Sequence, residues 1–365
     1  MAGKSYVILS RGRHMNHGTY RFAASIHQRK GAFAYAEAMV IPMKITVIGC
    51  GRWGSLITWY LSSRKGHDVT LYGLADAPQM QRFLAERRND LLTLPESVRL
   101  STNLTECLTP DCETVIIAIG SQGLRGLMEE LSAYELAGKT FVLCMKGIEA
   151  TTGKRLTEVA SEYLPKESPV AVWVGPGHVQ EFYAGVPNCM VIDSEDEAVK
   201  RRLVEAFSGD IIRFYYGSDL IGSEIGAASK NVIGIAAGML DGAGLSALKG
   251  ALMARGTREI ARLIAAMGGN ELSAYGLCHL GDYEATVFSK YSHNRAFGEA
   301  FVKGEPYTAL AEGYATVRAL VLLSRAYAVD LPICSAVYRI LYEGKDPHGE
   351  LEMLFTRALK TEFYV

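Results

Sequence analysis

The sequence predicts an α/β protein, with a doubly wound, mostly parallel sheet over residues 44–217 and an all-α domain over residues 218–365. Three observations carry this. Short β-branched apolar runs recur at α/β spacing through the first half, a glycine-rich turn joins the first run to a helical stretch, and the second half replaces strands with long Gly/Ala-rich helical runs. Across 365 residues, 49% apolar and 21% charged composition excludes wholesale disorder. A net charge of -1 gives no bulk attraction to nucleic acid or anionic lipid. No apolar run approaches the roughly 20 residues that a membrane helix needs. Seven Cys without a CxxC pair and eight His without HExxH argue against a disulfide framework and against a metal site. The expectation is a reduced, cytoplasmic protein with no metal, no nucleic-acid partner and no membrane insertion.

Residues 1–43 read as a separate N-terminal extension. They carry Lys4, Arg11, Arg13, Arg21, Arg29 and Lys30 against the single acid Glu37. An Arg-rich, acid-poor stretch fits an organelle-targeting segment; it also fits an upstream start codon or a disordered tail, because Met43-Lys44 opens directly onto a strand. No function is placed there.

The first strand is Lys44-Ile-Thr-Val-Ile48, nearly all apolar and β-branched, as a strand covered on both faces requires. It runs into Gly49-Cys-Gly51-Arg-Trp-Gly54. The helical stretch Ser55–Leu61 and a second strand, Asp68–Tyr72, follow. Strand, GxGxxG, helix and strand within about 30 residues form the context of a dinucleotide-binding Rossmann domain. Gly49 permits the tight turn, Gly51 lets the backbone approach a pyrophosphate, and Gly54 lets helix and strand pack closely. The helix N-terminus offers unpaired N–H groups to phosphate. The second strand ends Tyr72-Gly73-Leu74 without the acid an NAD ribose usually meets, and Arg52 reads either as a 2′-phosphate partner or as a solvated turn residue. The cofactor is therefore NAD or NADP.

Further strands are expected at Thr114–Ile119, Thr140–Cys144, Val170–Val174, Cys189–Ile192 and Ile211–Tyr215, with a helix around Leu124–Tyr134. Gly138-Lys139-Thr140 resembles the end of a P-loop, but it lies between a helix and a strand, the reverse of the required order, and reads as a turn.

Two strand ends carry unusual residues. Met145-Lys146-Gly147 and Gly175-Pro176-Gly177 both follow strands, where open α/β sheets bind ligands. Lys146 there is either an exposed loop lysine or a partner for an anion or a polarised carbonyl. In the second half, Ser223–Met239 is rich in Gly and Ala, so neighbours can approach its backbone, and Lys230 with Asn231 sits in mid-run. A lone lysine there either snorkels to solvent or, if buried, gains the lowered pKa of an acid/base group. Asp282 could pair with it. Tyr291-Ser292-His293-Asn294-Arg295 gathers an imidazole, an amide and a guanidinium suited to phosphate, or forms a helix-capping loop.

From about Met43 onward these motifs resemble the bacterial NAD(P)-dependent glycerol-3-phosphate dehydrogenases. The resemblance is carried by Gly49–Gly54, Met145-Lys-Gly147, Lys230–Gly238, Arg255-Gly256, Leu280-Gly-Asp282, Asn294-Arg295 with Phe297-Gly298, Glu312-Gly313 and Leu331-Pro-Ile333. It implies interconversion of dihydroxyacetone phosphate and sn-glycerol 3-phosphate, a precursor step for phospholipid synthesis, by a homodimer. It assigns Lys230 as proton donor and acceptor, with Lys146 and Asp282 completing the catalytic set. It assigns Gly49, Gly51, Arg52, Trp53, Gly54, Lys146, Val179 and Glu312 to the cofactor. Lys146, Gly175, Gly177, Lys230, Asp282, Ser292, His293, Asn294 and Arg295 fall to a phosphorylated small-molecule substrate.

The chain departs from the family pattern in three places. Ser-Arg-Asn-Arg reads Ser292-His293-Asn294-Arg295, which removes an arginine expected at the substrate phosphate; Arg295 or Lys290 would have to compensate. Ser-Gly-Pro-(Ser/Thr)-Phe-Ala reads Val174-Gly-Pro-Gly-His-Val179, and the apolar run after Gly-Asp reads Tyr283-Glu-Ala-Thr. Two other readings fit parts of the pattern: a related dehydrogenase of another small hydroxy acid or sugar phosphate, and a non-catalytic dinucleotide-sensing protein. A sensor has no need of Lys146, Lys230 and Asp282 together.

Overall fold

A computed structural model describes residues 41–356 and 361–362. The readings made for the stretch up to residue 40 lie outside the described residues. Met43 already belongs to the folded body: its side chain is buried and its N–H donates to His67 Nδ1 at 3.2 Å.

Eight strands form one sheet: β1 (Lys44–Ile48), β2 (Asp68–Tyr72), β3 (Arg99–Ser101), β4 (Thr114–Ile117), β5 (Thr140–Leu143), β6 (Val170–Val174), β7 (Asn188–Ser194) and β8 (Ile212–Tyr216), in the order β3-β2-β1-β4-β5-β6-β7-β8. All neighbours run parallel except β6 and β7. Crossover helices cover both faces: α1 (Arg52–Trp59), α2 (Pro78–Glu86), α3 (Leu104–Cys107), α4 (Leu124–Leu131), α5 (Leu156–Ser161), α6 (Val179–Tyr183) and α7 (Glu197–Phe207). Two apolar cores result. One centres on Val47, Tyr60, Phe83, Trp173 and Phe207, the other on Val115, Ile117, Phe141 and Leu143. Burial on both faces is why these strands read as continuous apolar runs instead of alternating ones.

Several details differ from the sequence reading. The first helix starts at Arg52, not Ser55, so the third residue of the glycine motif serves as its N-cap. Beyond Trp59 it widens into a π turn, Tyr60–Arg64, where the Tyr60 hydroxyl donates to Phe207 O at 2.6 Å. The β4 ladder ends at Ile117, because Ala118 packs against the glycine turn. The helix from Leu124 stops at Leu131. Strand β3 escaped notice because three residues carry too short a pattern to read.

After β8 the chain is helical: α8 (Leu220–Gly242), α9 (Lys249–Ala266), α10 (His293–Lys303), α11 (Glu312–Ala326), α12 (Pro332–Glu343) and α13 (Pro347–Phe355). A third core forms around α8, with Ile233, Ile235 and Met239 against Ile260, Leu320 and Val337. Residues Gly222 to Leu240 of α8 are all buried. The helix approaches α10 so closely that a Cβ added at Gly238 would lie 1.9 Å from Arg295 O, and one at Gly298 would lie 2.1 Å from Ile235 O. The stretch from Ser273 to Glu299 lies along one row of α8, meeting Gly222, Gly226, Gly234, Gly238 and Gly242 in turn. Lys230 occupies the remaining place in that four-residue repeat. No described helix is long and apolar enough to cross a membrane.

Candidate active site

The glycine turn follows from its neighbours. Gly49 has φ +113, a conformation L side chains rarely adopt, and its added Cβ would lie 2.4 Å from Ala118 O; at Gly54 a Cβ would lie 1.9 Å from Gly49 O. Gly51 faces open space, and as the N-cap of α1 it leaves the first N–H groups without a side-chain acceptor. That is the geometry a pyrophosphate requires. Trp53 leans on Phe182 (ring centroids 6.0 Å apart), and its Nε1 is buried without a protein partner. These features fit a bound dinucleotide. The end of β2 carries no acid: Gly73 packs against Cys50 and Met80, and Asp76 is exposed.

The two sequence-flagged lysines converge on one carboxylate. Lys146, at the carboxyl end of β5, donates to Asp282 Oδ2 at 2.8 Å and to Gly175 O at 2.5 Å. Lys230, in the middle of α8, reaches the same oxygen at 3.0 Å. Lys230 is 7% exposed and Asp282 1%. Burial drives the Lys230 amine down to about 8; Lys146 adds to the fall and Asp282 opposes it. Thr286 is a further member that the sequence reading missed. Its hydroxyl accepts from Lys230 Nζ at 2.7 Å and donates to Asp282 O at 2.7 Å. Its place in the polar departure Tyr283-Glu-Ala-Thr286 and its four-residue spacing from Asp282 were the signals that could have found it. Lys230 thus has two partners for three ammonium protons, and Asp282 Oδ1 is buried without a partner.

Amides hold this cluster in place. Asn231 donates to Lys146 O at 2.8 Å, Asn294 Nδ2 donates to Asn231 Oδ1 at 3.0 Å, and Gly313 N donates to Asn294 Oδ1 at 2.9 Å. Glu312, at the start of α11, accepts from Ser121 N at 3.2 Å and pairs with the Ser121 hydroxyl, beside Gly147. His178 lies in the same field with its Nε2 buried and unpartnered. Burial lowers the His178 imidazole, and Lys230, Lys146 and Arg52 push the same way against Asp282. Gly175 and Gly177 line the β6 end with φ of +130 and +142, while the Val179 side chain is buried in the core below.

Three candidates are used differently from the sequence reading. The Arg295 guanidinium is taken by Asp241 and Glu299, each at 2.9 Å, and its Nε by Ser289 O at 3.3 Å, so it braces α10 and is not brought to the lysine cluster. The Ser292 hydroxyl caps α10 by accepting from Arg295 N at 3.2 Å. His293 is not a free donor: its two ring nitrogens meet Arg52 Nη1 at 2.7 Å and the Tyr307 hydroxyl at 2.8 Å. Lys290, the other candidate replacement for the missing arginine, places its amine 5.3 Å from the Tyr291 ring. Lys139, in the rejected P-loop lookalike, is buried and donates to Thr109 O and Cys112 O at 2.7 and 2.9 Å, a purely structural anchor. No cluster of three or more His, Cys, Asp or Glu capable of holding a metal occurs among the described residues.

Two family models match the chain: the N-terminal part of NAD-dependent glycerol-3-phosphate dehydrogenase over residues 44–200, and its C-terminal part over residues 219–352. A glycerol-3-phosphate dehydrogenase [NAD(P)+] of Pelodictyon phaeoclathratiforme is 37% identical over 335 residues, covering 88% of this chain and 99% of its own. One from a Thermoanaerobacter species is 35% identical with the same coverage. The crystal structure of glycerol-3-phosphate dehydrogenase from Coxiella burnetii superposes with a TM-score of 0.81 at 27% identity, over 87% of this chain and 99% of that one.

Proposed function

The chain belongs to the NAD-dependent glycerol-3-phosphate dehydrogenase family, and from that membership we propose that it interconverts dihydroxyacetone phosphate and sn-glycerol 3-phosphate with NAD(P)H. The observation that carries the mechanism is a buried amine, Lys230, tuned to about 8 and sharing the Asp282 carboxylate with Lys146 at the carboxyl end of β5. When bound, the dihydronicotinamide supplies the hydride that carbon 2 of the ketone receives. Negative charge then grows on the ketone oxygen, and Lys230 gives it the proton that neither Asp282 nor Thr286 holds. Lys146, locked by Gly175 O and Asp282, is a second positive charge for that oxygen. In the reverse direction neutral Lys230 removes the hydroxyl proton, which a pKa near 8 permits at physiological pH. Asp282 keeps the two ammonium groups together despite their mutual repulsion. Asn294, tied to Asn231 and Gly313, fixes the wall on which the substrate rests.

The test is to supply dihydroxyacetone phosphate with NADH and, separately, NADPH. Oxidation of at least one cofactor is expected, and a folded protein that turns over neither rejects this function. Lys230→Ala should lower kcat by roughly 10²- to 10⁴-fold while cofactor affinity changes little; equal loss of both would remove the assigned role. Family membership also supports a cytoplasmic homodimer that supplies glycerophospholipid synthesis. A monomer in sedimentation at micromolar concentration, or exclusive recovery in an organelle fraction, would contradict those parts.

A further inference from the structure

The phosphorylated substrate proposed above presents a dianion, and the lysine cluster does not by itself balance it. Lys146 and Lys230 share one carboxylate, which leaves a net charge of about +1 when both are protonated. Arg295 is held in a separate network with Asp241 and Glu299, which also bind Lys249 and Lys303. Arg52 differs from all of these. It sits on the glycine turn at the first residue of α1, its side chain is exposed, and no described carboxylate pairs with it. Its guanidinium crosses to the start of α10 and meets His293 Nε2 at 2.7 Å.

That contact fixes the state of the imidazole. A guanidinium only donates, so His293 Nε2 accepts, and the ring proton resides on Nδ1, facing the Tyr307 oxygen at 2.8 Å. His293 is therefore neutral and fully engaged, so it adds no positive charge of its own. It holds Arg52 in place, with Tyr307 behind it. Arg52 uses one of five N–H donors in this contact and keeps the rest for an anion. Its charge is felt, together with those of Lys146, Lys230 and Asp282, at the His178 imidazole.

We propose that Arg52 is the guanidinium that receives the substrate phosphate, and that His293 and Tyr307 are positioning residues that aim it. The arginine absent from position 293 is thus supplied by the glycine turn, whose Arg52 meets His293 directly. Arg52 with the lysine cluster brings the local charge to about +2, which matches a phosphate dianion. This rests on the substrate class proposed above. The phosphate chemistry could equally come from the cofactor's pyrophosphate or 2′-phosphate, and the experiment separates these sources.

The experiment compares the wild type, Arg52→Ser and the exchange Arg52→Ser with His293→Arg. Steady-state kinetics with dihydroxyacetone phosphate and with unphosphorylated dihydroxyacetone give the ratio of the two kcat/KM values. Fluorescence titration gives Kd for NADH and NADPH, and calorimetry gives Kd for inorganic phosphate on the NADH-loaded protein. Arg52→Ser is expected to lower the ratio by roughly 10- to 100-fold, mainly through KM, and to weaken inorganic phosphate by a similar factor, with both cofactor Kd values within about threefold. The exchange is expected to recover most of the ratio. His293→Gln should raise KM more than it lowers kcat. An unchanged ratio with weaker binding of both cofactors would place Arg52 on the pyrophosphate and overturn the proposal; selective loss of NADPH would do so in favour of the 2′-phosphate. Failure of the wild type to turn over dihydroxyacetone phosphate would reject the proposed function instead, and the inorganic phosphate titration would still decide the role of Arg52.

Discussion

Asp282→Asn keeps the shape of the carboxylate that Lys146 and Lys230 share and removes its charge. At the observed 3.0 Å, one opposite charge at an effective dielectric constant of about 20 is worth roughly 5.5 kcal/mol, or about 4 pKa units, as an upper bound. The same oxygen also serves Lys146 at 2.8 Å, and opposite charges at such distances usually move a neighbour by about 1–3 units. A fall of about 2 units is the working figure. Because Asp282 favours the charged amine, its loss must move Lys230 downward, from about 8 to roughly 6. At pH 7 the protonated fraction then drops from about nine-tenths to about one-tenth, so kcat/KM for ketone reduction falls about tenfold. The rising limb of glycerol 3-phosphate oxidation moves toward acid by the same 2 units, approximately. Initial rates in both directions, followed by NADH absorbance across the pH range, read both effects. A midpoint that stays in place or moves upward, with loss of rate equal at every pH, would refute the assignment of that titration to Lys230.

Other outcomes follow from the same packing. Glu259 is buried, its carboxylate accepts from Ile333 N and Cys334 N at 2.9 Å each, and burial raises it from 4.5 to about 6. A carboxyl whose folded pKa is raised contributes stability below about 4.5 and loses it as pH rises through about 6, by roughly 2 kcal/mol; Glu259→Gln should flatten urea midpoints across that window, and an unchanged slope would exclude Glu259 as the source. Gly238→Ala should cost about 1–3 kcal/mol and depress kcat, because the added methyl forces α10 and Asn294 away from α8. Thermal melting and kcat measured together check this; stability lost without any change in kcat would separate the helix crossing from the active site.

Much of this architecture was legible in the residues. Doubly covered strands announce themselves as unbroken apolar runs, and the Gly49–Gly54 turn identifies itself through its flanking strand and helix. Lys146, Lys230 and Asp282 were legible as candidates because charge is unusual in such surroundings; their meeting at one oxygen was not, since 136 residues separate Lys146 from Asp282. Sequence also could not tell which arginines were already engaged. Arg295 looked like the natural phosphate partner, yet Asp241 and Glu299 claim it, and those acids lie on different helices. Arg52 read as a 2′-phosphate partner or a solvated turn residue, and its contact with His293, 241 residues further along the chain, was not legible. The antiparallel pairing of β7 with β6 was equally hidden: it depends on where the short helix Val179–Tyr183 sends the chain, not on any strand's own pattern.

Helix α8 tolerates five glycines at intervals of four, each a weak helix former by about 1 kcal/mol relative to alanine. That row is bare except at one rung, where a long side chain stands up beneath the stretch that runs from Ser273 to Glu299. At the bare rungs the covering backbone comes down onto the helix; at the one rung that keeps a side chain the same stretch presents Asp282 and Thr286 to its nitrogen. Relocating the amine by one turn would demand that the bare rungs and both partners migrate with it, so the reactive atom's address is written into a periodicity more than into its own codon.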